Sequence, residues 1–179
     1  MPLHTSSNHD GQKTNQKGIH ALWESIIPPM FGDEYNFNAV PAKMINDIPA
    51  HTWKIITQSH SLLDTLLAAE LRVRNRFTKE TMYKKDKQGK TVMYYNSPVF
   101  SDEYAQLFHR ELNGMVEAQM RLAIHETANY WYTAWVNGGS PDLIKMDDPH
   151  LFKQNRKNYK KEYKAYKKGN LLNLSNEKE

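Results

Sequence analysis

The chain has 179 residues and a mass of 20.9 kDa, which is the usual size of one domain with a core of its own. It contains no cysteine, which excludes disulfides and thiolate metal sites. No apolar run is long enough to predict a transmembrane helix. The net charge of +4 is uneven, because residues 153–179 hold nine basic and three acidic residues. The basic character therefore belongs to the C-terminal tail and not to the rest of the chain.

The first predicted elements are short. Residues 1–18 are predicted as a loop because they are rich in Ser, Asn, Gly and Lys. A first helix is predicted over 18–27, where Pro28 and Pro29 follow and should end it. A second short helix is predicted over 39–47.

Two longer helical patterns follow. Residues 50–77 carry apolar side chains at a period of about 3.6 residues, which predicts one helix. The face of this helix that is expected to be buried carries Trp53, Ile56, His60, Leu63 and Leu67. Residues 101–136 are also predicted as one helix, which begins at the N-cap Ser101 and bends near Gly114.

These elements predict an all-α fold class. The one exception is residues 82–96, which form either a small hairpin or an irregular excursion around the turn at 87–90. Residues 1–146 are predicted as the helical domain. Residues 147–179 are predicted as a basic tail that is either irregular or helical.

Three potential metal ligands lie near the start of the chain. His20 and Glu24 are i and i+4 on the predicted first helix, which puts both side chains on one face about 5–6 Å apart. His4 would come from the preceding loop, where it is expected to be the most loosely held ligand. Two imidazoles and one carboxylate are a common zinc ligand set that leaves a position open for water or substrate. The alternative interpretation is a solvated His–Glu pair at an exposed helix start.

The residues around these ligands resemble a known family. "PLH" at residues 2–4, a polar loop, "GIHALWES" at residues 18–25 and "HETANYWYTAWVNGG" at residues 125–139 occur in this order. Together they resemble the C-terminal half of the zinc-dependent phospholipase C and nuclease superfamily, and within it the S-one/P-one nuclease family. The resemblance covers residues 2–143.

This resemblance implies an all-α fold with three zinc ions in one cleft, two of which form a pair that activates water. His4, His20 and Glu24 correspond to the ligands of the third zinc, which binds phosphate. The ligands of the pair precede the P-L-H segment in the family, so at most one zinc site is expected here. Residues 1–146 would then be the C-terminal portion of such a domain, incompletely folded by themselves.

The function that the resemblance implies is a zinc-dependent phosphodiester hydrolase, an endonuclease whose partner is DNA or RNA. This chain is expected to be inactive alone, because it lacks most of the zinc ligands. One alternative is a zinc-dependent phospholipase C acting on phospholipid, because that branch has Glu where Glu24 stands. An alternative of another class is a non-catalytic metal-binding remnant. The relatives are exported, but the first residues have no signal-peptide pattern, so the cellular location stays open.

Other polar candidates have simpler explanations. His60 and Asp64 share the same i, i+4 spacing, but His60 is expected to be a buried histidine on an apolar helix face. His9 and Asp10 are expected to be solvated, with a contact to substrate as the alternative.

Aromatic and basic segments also allow two interpretations. The aromatic group Tyr130, Trp131, Tyr132 and Trp135 is expected to lie in the core, with base stacking as the alternative. The lysine- and tyrosine-rich segment 153–170 is either a solvated helix with lysines on every face or a nucleic-acid-binding segment.

Overall fold

The chain folds mostly into helices, as a computed structural model that describes residues 1–94, 97–144 and 149–168 shows. The expected all-α class is confirmed, because the only sheet among the described residues has two strands of two residues each. The chain divides into two compact units, Met1–Val136 and the residues from Asn137 onward. No helix within the described ranges is both long and apolar enough to cross a membrane.

The N-terminal part consists of short helical segments. In chain order they are the 3₁₀ turn Pro2–Thr5, α1 (Ile19–Ala21), a π turn at Leu22–Ile26, α2 (Ile27–Phe31) and a 3₁₀ turn at Gly32–Glu34. The prediction that Pro28 and Pro29 end this helix is wrong. The π turn is wider than an α turn, with the Ile27 N–H donating to the Leu22 carbonyl. This widening makes room for the proline rings, which would otherwise clash with carbonyls one turn earlier.

The helix predicted over 50–77 is two helices, α3 (Ile48–His60) and α4 (Leu63–Arg74). The chain bends between them at Ser61, whose hydroxyl donates to the Gln58 carbonyl. The apolar face of α3 is not buried as expected, since Trp53 is 67% exposed. The α4 helix instead carries the buried residues.

No helix forms over the predicted 39–47 segment. Backbone groups of this segment bond to side chains of a distant helix: the Lys43 N–H donates to Asn129 Oδ1 and the Ile45 N–H to Thr133 Oγ1. These two long-range bonds satisfy backbone donors that a helix would otherwise pair within itself.

The region predicted as a hairpin or an irregular excursion contains both kinds of structure. It holds α5 (Lys79–Met82), the antiparallel strands β1 (Met93–Tyr94) and β2 (Ser97–Pro98), and isolated bridges from Tyr83 to Phe100 and from Lys85 to Thr91. A tight turn closes the bridge from Lys85 to Thr91, and within it Gly89 adopts a φ of +78°. Residues 95–96 of the predicted hairpin lie outside the described residues.

The helix predicted over 101–136 is also divided, at the expected glycine. It consists of α6 (Asp102–Glu111) and α7 (Met115–Asn137). The predicted cap is confirmed, because Ser101 Oγ accepts from the Tyr104 N–H. Gly114 has a φ of +78°, which ends the first helix and lets the second begin in a new direction.

The predicted basic tail contains the helix α8 (Pro149–Lys167). Of the two alternatives for the tail, helix is therefore correct for these residues. Residues 147–148 and 169–179 of the predicted tail lie outside the described residues.

The core of the first unit lies where the N-terminal segments meet α4 and α6. Its buried apolar side chains are Leu3, Ile19, Leu22, Trp23, Ile27, Leu63, Leu66, Ala69, Val73, Met82, Phe100, Tyr104, Ala105, Phe108, Leu112 and Val116. Four of these, Leu3, Ile19, Leu22 and Trp23, are next to a potential metal ligand in sequence or share its helical segment. The ligands are therefore attached to the best-packed part of the chain.

A buried carboxylate connects the N-terminal loop to both core helices. Glu70 is fully buried on α4, and it accepts from Gln16 Nε2 at 2.6 Å, from Arg74 Nε at 2.8 Å and from the Tyr104 hydroxyl at 2.5 Å. Burial, followed by the charge of Glu70, raises the pKa of Tyr104, so this phenol stays a hydrogen-bond donor. Gln16 also donates to the Leu67 carbonyl, which fixes the end of the loop on α4.

We expect Tyr104→Phe to lower the free energy of unfolding by about 1–3 kcal/mol, because the buried Glu70 carboxylate loses a donor that no water can replace. The measurement is urea unfolding followed by circular dichroism. Tyr132→Phe is the matched control, since Tyr132 is exposed, and it should change stability by less than about 0.5 kcal/mol. Equal urea midpoints for Tyr104→Phe and the wild type would contradict the role given to Glu70.

A second partly buried group is the imidazole of His109 on α6. It stacks on Phe31, with ring centroids 3.9 Å apart, and on Tyr35 at 5.8 Å. Its Nε2 atom is buried without a hydrogen-bond partner. Burial lowers the pKa of His109 below its ordinary value of 6.5, although the charges of Glu34 and Glu117 act in the opposite direction.

The lowered pKa predicts a pH-dependent stability. Between pH 6.5 and the lower pKa of the folded state, His109 is protonated more fully in the unfolded chain than in the folded chain. The free energy of unfolding should therefore fall as the pH drops through this range. His109→Phe keeps a stacked ring without the titration. Acidification from about pH 7.5 to about pH 5 should therefore destabilise this variant less than the wild type, as measured by urea unfolding at each pH. An identical loss in both proteins would exclude His109 as the cause.

Candidate metal centre

His4 is held firmly by its neighbours in sequence. Pro2 and Leu3 are buried, and Leu3 is fully enclosed in the core. The Thr5 hydroxyl donates to the Pro2 carbonyl and lies 2.9 Å from His60 Nδ1 at the end of α3. The expectation that His4 is the loosely held ligand is therefore wrong, because burial of the two preceding side chains anchors its turn.

His20 and Glu24 are positioned by a helix start that the preceding loop caps. Gly18 has a φ of +89°, and its N–H donates to Asp10 Oδ1 at 3.1 Å. The helix then buries Trp23, which is 4% exposed. Glu24 lies within the π turn, a feature that the sequence analysis missed and that frequently accompanies functional sites.

The three predicted ligands converge in the folded chain. His4 Nε2 is 3.0 Å from His20 Nε2 and 3.3 Å from Glu24 Oε1, and His20 Nε2 is 2.9 Å from Glu24 Oε2. These residues form the only group of three or more potential metal ligands of this kind in the part of the chain that the structure describes. The side chains are partly exposed, with His20 the least accessible at 33%.

The spacing fits one tetrahedral zinc ion. Ligand atoms 2.0–2.1 Å from zinc at tetrahedral angles lie about 3.3 Å from one another. The two Nε2 atoms are 3.0 Å apart, and each lies 2.9 to 3.3 Å from a different oxygen of the Glu24 carboxylate. With one ligand atom taken from each residue, the three atoms lie within 4.8 Å of one another. Three protein ligands leave a fourth position open, which is typical of zinc sites that bind water or substrate.

Hydrogen bonds alone do not account for this geometry. A neutral imidazole presents either an N–H or a lone pair at Nε2. When Glu24 is ionised, at least one of the three close atom pairs sets two lone pairs or two N–H groups against each other, whichever tautomers His4 and His20 adopt. A cation between the three atoms is attractive to all of their lone pairs at once. The donor set therefore fits a divalent metal better than it fits an ion-free hydrogen-bonded cluster.

A pocket of about 390 Å³ adjoins the ligands. It is lined by His9, Asp10, His20, Ala21, Glu24 and Ser25. The ring of His9 approaches that of His20 edge-on, with centroids 6.0 Å apart. The pair His9 and Asp10, which was expected to be solvated, thus borders the site. The sequence signal that could have indicated this is their position between two ligands in one short loop.

A second, more apolar pocket of about 420 Å³ shares Asp10, Ala21 and Ser25 with the first. Its far wall comes from the β region and includes Pro98, Val99 and Phe100. A ligand whose charged group meets His20 and Glu24 therefore has room for an apolar or aromatic part beside it.

The alternative ligand pair is not assembled as a site. His60 is exposed and contacts Thr5, so the expectation of a buried histidine is wrong. Asp64 is also exposed, and neither residue joins a group of metal ligands in the described ranges. His60 instead supports the turn that carries His4.

The aromatic residues of α7 were expected in the core. The structure contradicts this for Trp131 and Tyr132. Trp131 is 75% exposed and Tyr132 is 39% exposed. The Tyr130 hydroxyl lies 2.5 Å from Thr52 Oγ1 on α3. The core excludes these rings because α6, not α7, faces the buried side of α4.

One polar pair was missed because its members are 75 residues apart. His51 Nε2 lies 2.7 Å from Glu126 Oε2. Burial raises the pKa of Glu126, but hydrogen bonds from His51 and Asn129 outweigh this effect and leave the pKa below its ordinary value. The pair lines a separate surface pocket between the 40–47 segment and α7.

Comparison of the chain with protein-family models, with curated proteins and with solved structures finds no match. The interpretation of the site accordingly rests on its own residues and geometry.

We expect titration calorimetry at about pH 7.5 to detect one zinc ion bound per chain, with the three ligands His4, His20 and Glu24. Because both histidines are anchored, His4→Ala and His20→Ala should each weaken binding by more than the roughly 10–100-fold that loss of an outer partner causes. Binding should also weaken at about pH 5.5, because imidazole must be neutral to coordinate zinc.

His60→Ala is the control for this titration, because His60 contacts the His4 turn without facing the ligands. It should weaken zinc binding by at most about tenfold. Loss of binding in His60→Ala with full binding in His20→Ala would show that the wrong histidine–carboxylate pair was chosen.

Proposed function

We propose that this chain carries the phosphate-binding zinc site of a zinc-dependent phosphodiester hydrolase of the nuclease type. The observation that supports this most directly is the convergence of His4 Nε2, His20 Nε2 and the Glu24 carboxylate into one group of potential metal ligands. These are the residues that the resemblance to the nuclease family selects from the sequence.

The charge of the site is suited to a phosphate ligand. Two neutral imidazoles and one carboxylate leave a formal charge of +1 on a divalent ion, and the side chains of His20 and Glu24 face the adjoining pocket. A zinc ion held there supplies Lewis-acid stabilisation of phosphate oxygens. Asp10 contributes by fixing the start of the helix that carries His20.

The residues beside the site give a substrate room on both sides of its phosphate. His9 and Ser25 line the polar pocket, and Pro98 and Phe100 line the apolar one. A nucleotide has this combination of a charged phosphodiester and a flat, weakly polar base. Nucleic acid is therefore the substrate that we propose, and a phospholipid is the alternative that the experiment below distinguishes.

A second candidate function is metal-dependent phosphate binding without catalysis. It is favoured by the presence of a single ligand group in the described part of the chain, since two-metal hydrolysis requires ligands for a bridged pair. On this basis the chain by itself binds a phosphodiester and turns it over very slowly or not at all.

We expect the zinc-loaded chain to bind a thymidine dinucleotide, which has a single phosphodiester, more tightly than phosphocholine in calorimetry, and to lose this preference in the Glu24→Ala variant and with chelator. Hydrolysis of single-stranded DNA and of a lecithin emulsion should both be at background. Ser61→Ala is the control for substitution of an exposed residue, and it should bind both probes with the affinities of the wild type.

The remaining outcomes separate the candidates. DNA hydrolysis that requires Glu24 would exclude the non-catalytic function, and lecithin hydrolysis that requires Glu24 would replace the nuclease by a phospholipase C. Absence of any zinc-dependent binding of phosphate compounds would refute the proposed function.

A further inference from the structure

The basic residues of α8 lie on one face of the helix. At 3.6 residues per turn, all seven Lys and Arg between 153 and 167 fall within an arc of about 140°. They are Lys153, Arg156, Lys157, Lys160, Lys161, Lys164 and Lys167. The expectation of lysines on every face is therefore wrong, because the helical register concentrates them in a stripe about 21 Å long.

The other faces of α8 have different chemistry. Glu162, the single acidic residue of this stretch, lies opposite the centre of the basic stripe. Tyr159 and Tyr163 lie along one edge of it, with their rings stacked at a centroid distance of 5.8 Å and an interplanar angle of 13°. Lys167 Nζ lies 4.9 Å from the centroid of the Tyr163 ring.

The basic stripe has no counter-charge within the described residues. No ion pair there joins a lysine or arginine of α8 to a carboxylate, and every described basic side chain of α8 is exposed. Lys153, Lys157 and Lys161 are spaced at i, i+4, and so are Lys160 and Lys164. Like charges at this spacing oppose helix formation, so an external polyanion would relieve a repulsion that no ion pair among the described residues relieves.

The composition of α8 favours single-stranded nucleic acid over an anionic lipid bilayer as the polyanion. Residues 153–168 contain no Leu, Ile, Val, Met, Phe or Trp, so this segment has no apolar face to insert into a lipid bilayer. Tyr159 is 63% exposed and Tyr163 is 46% exposed, which leaves ring surface on which unpaired bases can stack. Cationic residues next to exposed aromatic rings are the combination that single-stranded nucleic acid requires.

We propose that this face of α8 is a docking surface for single-stranded nucleic acid, with the basic stripe on the phosphates and Tyr159 and Tyr163 against the bases. The surface acts through charge and stacking, so it needs no metal and does not depend on the zinc site. It goes beyond the proposed function by giving the chain a second, independent contact with a nucleic acid.

The test is fluorescence anisotropy of the full chain with a labelled oligothymidylate of about fifteen nucleotides, in chelator so that zinc contributes nothing. A plot of the logarithm of affinity against the logarithm of salt concentration should have a slope of about −3 or steeper. Each neutralised phosphate of a single strand contributes about −0.7 to this slope, and we expect four or more to be neutralised. The matching duplex should bind more weakly, because its bases are not free to stack.

Charge variants locate the surface. The triple variant Lys157→Gln, Lys160→Gln and Lys164→Gln should lose at least about tenfold in affinity and have a slope shallower by about 2. The control with the same change in net charge is Lys79→Gln, Lys87→Gln and Lys90→Gln, at exposed positions outside α8, and it should stay within about threefold of the wild type.

Aromatic variants test stacking separately. Tyr159→Ala with Tyr163→Ala should lose roughly tenfold in affinity, whereas the same pair changed to Phe should bind like the wild type. Circular dichroism of every variant verifies that the helix content is unchanged. Three results would overturn the proposal: equal losses in the two lysine triples, tighter binding to duplex than to single strand, or tighter binding to phosphatidylserine vesicles than to the oligonucleotide.

Discussion

The buried carboxylate of Glu70 is the constraint on which the arrangement of the first unit depends. A charged group taken out of water must be surrounded by donors, and here those donors come from three places in the chain: Gln16 in the N-terminal loop, Arg74 on the same helix and Tyr104 on α6. Satisfying Glu70 therefore brings the loop and both core helices together. Removal of any donor would leave a charge that the surrounding apolar side chains cannot stabilise.

The positions of the three potential metal ligands depend on this packing. Leu3 places His4, and Ile19 and Trp23 fix the helix on which His20 and Glu24 stand. The proposed function gives these three apolar residues no direct contact with metal or substrate. Each of them nevertheless fixes the position of a potential ligand. The partial exposure of the ligands and the buried side chains beneath them produce a site that is open to solvent and still held in place.

Features with local causes were predictable. The Ser101 cap, the bend at Gly114 and the i, i+4 pair of His20 and Glu24 depend on residues within one or two helical turns, and all three are present in the structure. Features with distant causes were not. The 39–47 segment forms no helix, and α7 side chains bond its backbone instead. The hydrophobic periodicity of 50–77 continues across a bend that no Gly or Pro marks.

The sequence by itself determined the helical class, the three potential metal ligands and the number of basic residues in the tail, because each of these follows from residue type and short-range spacing. Only the tertiary structure decided that His4 meets the other two ligands, since its place depends on burying Pro2 and Leu3 in a core built from residues far along the chain. It also decided which apolar faces are buried. The α4 and α6 helices cover each other, and Trp53 and Trp131 remain exposed, because burial is a property of the neighbouring helix and not of the pattern on one helix.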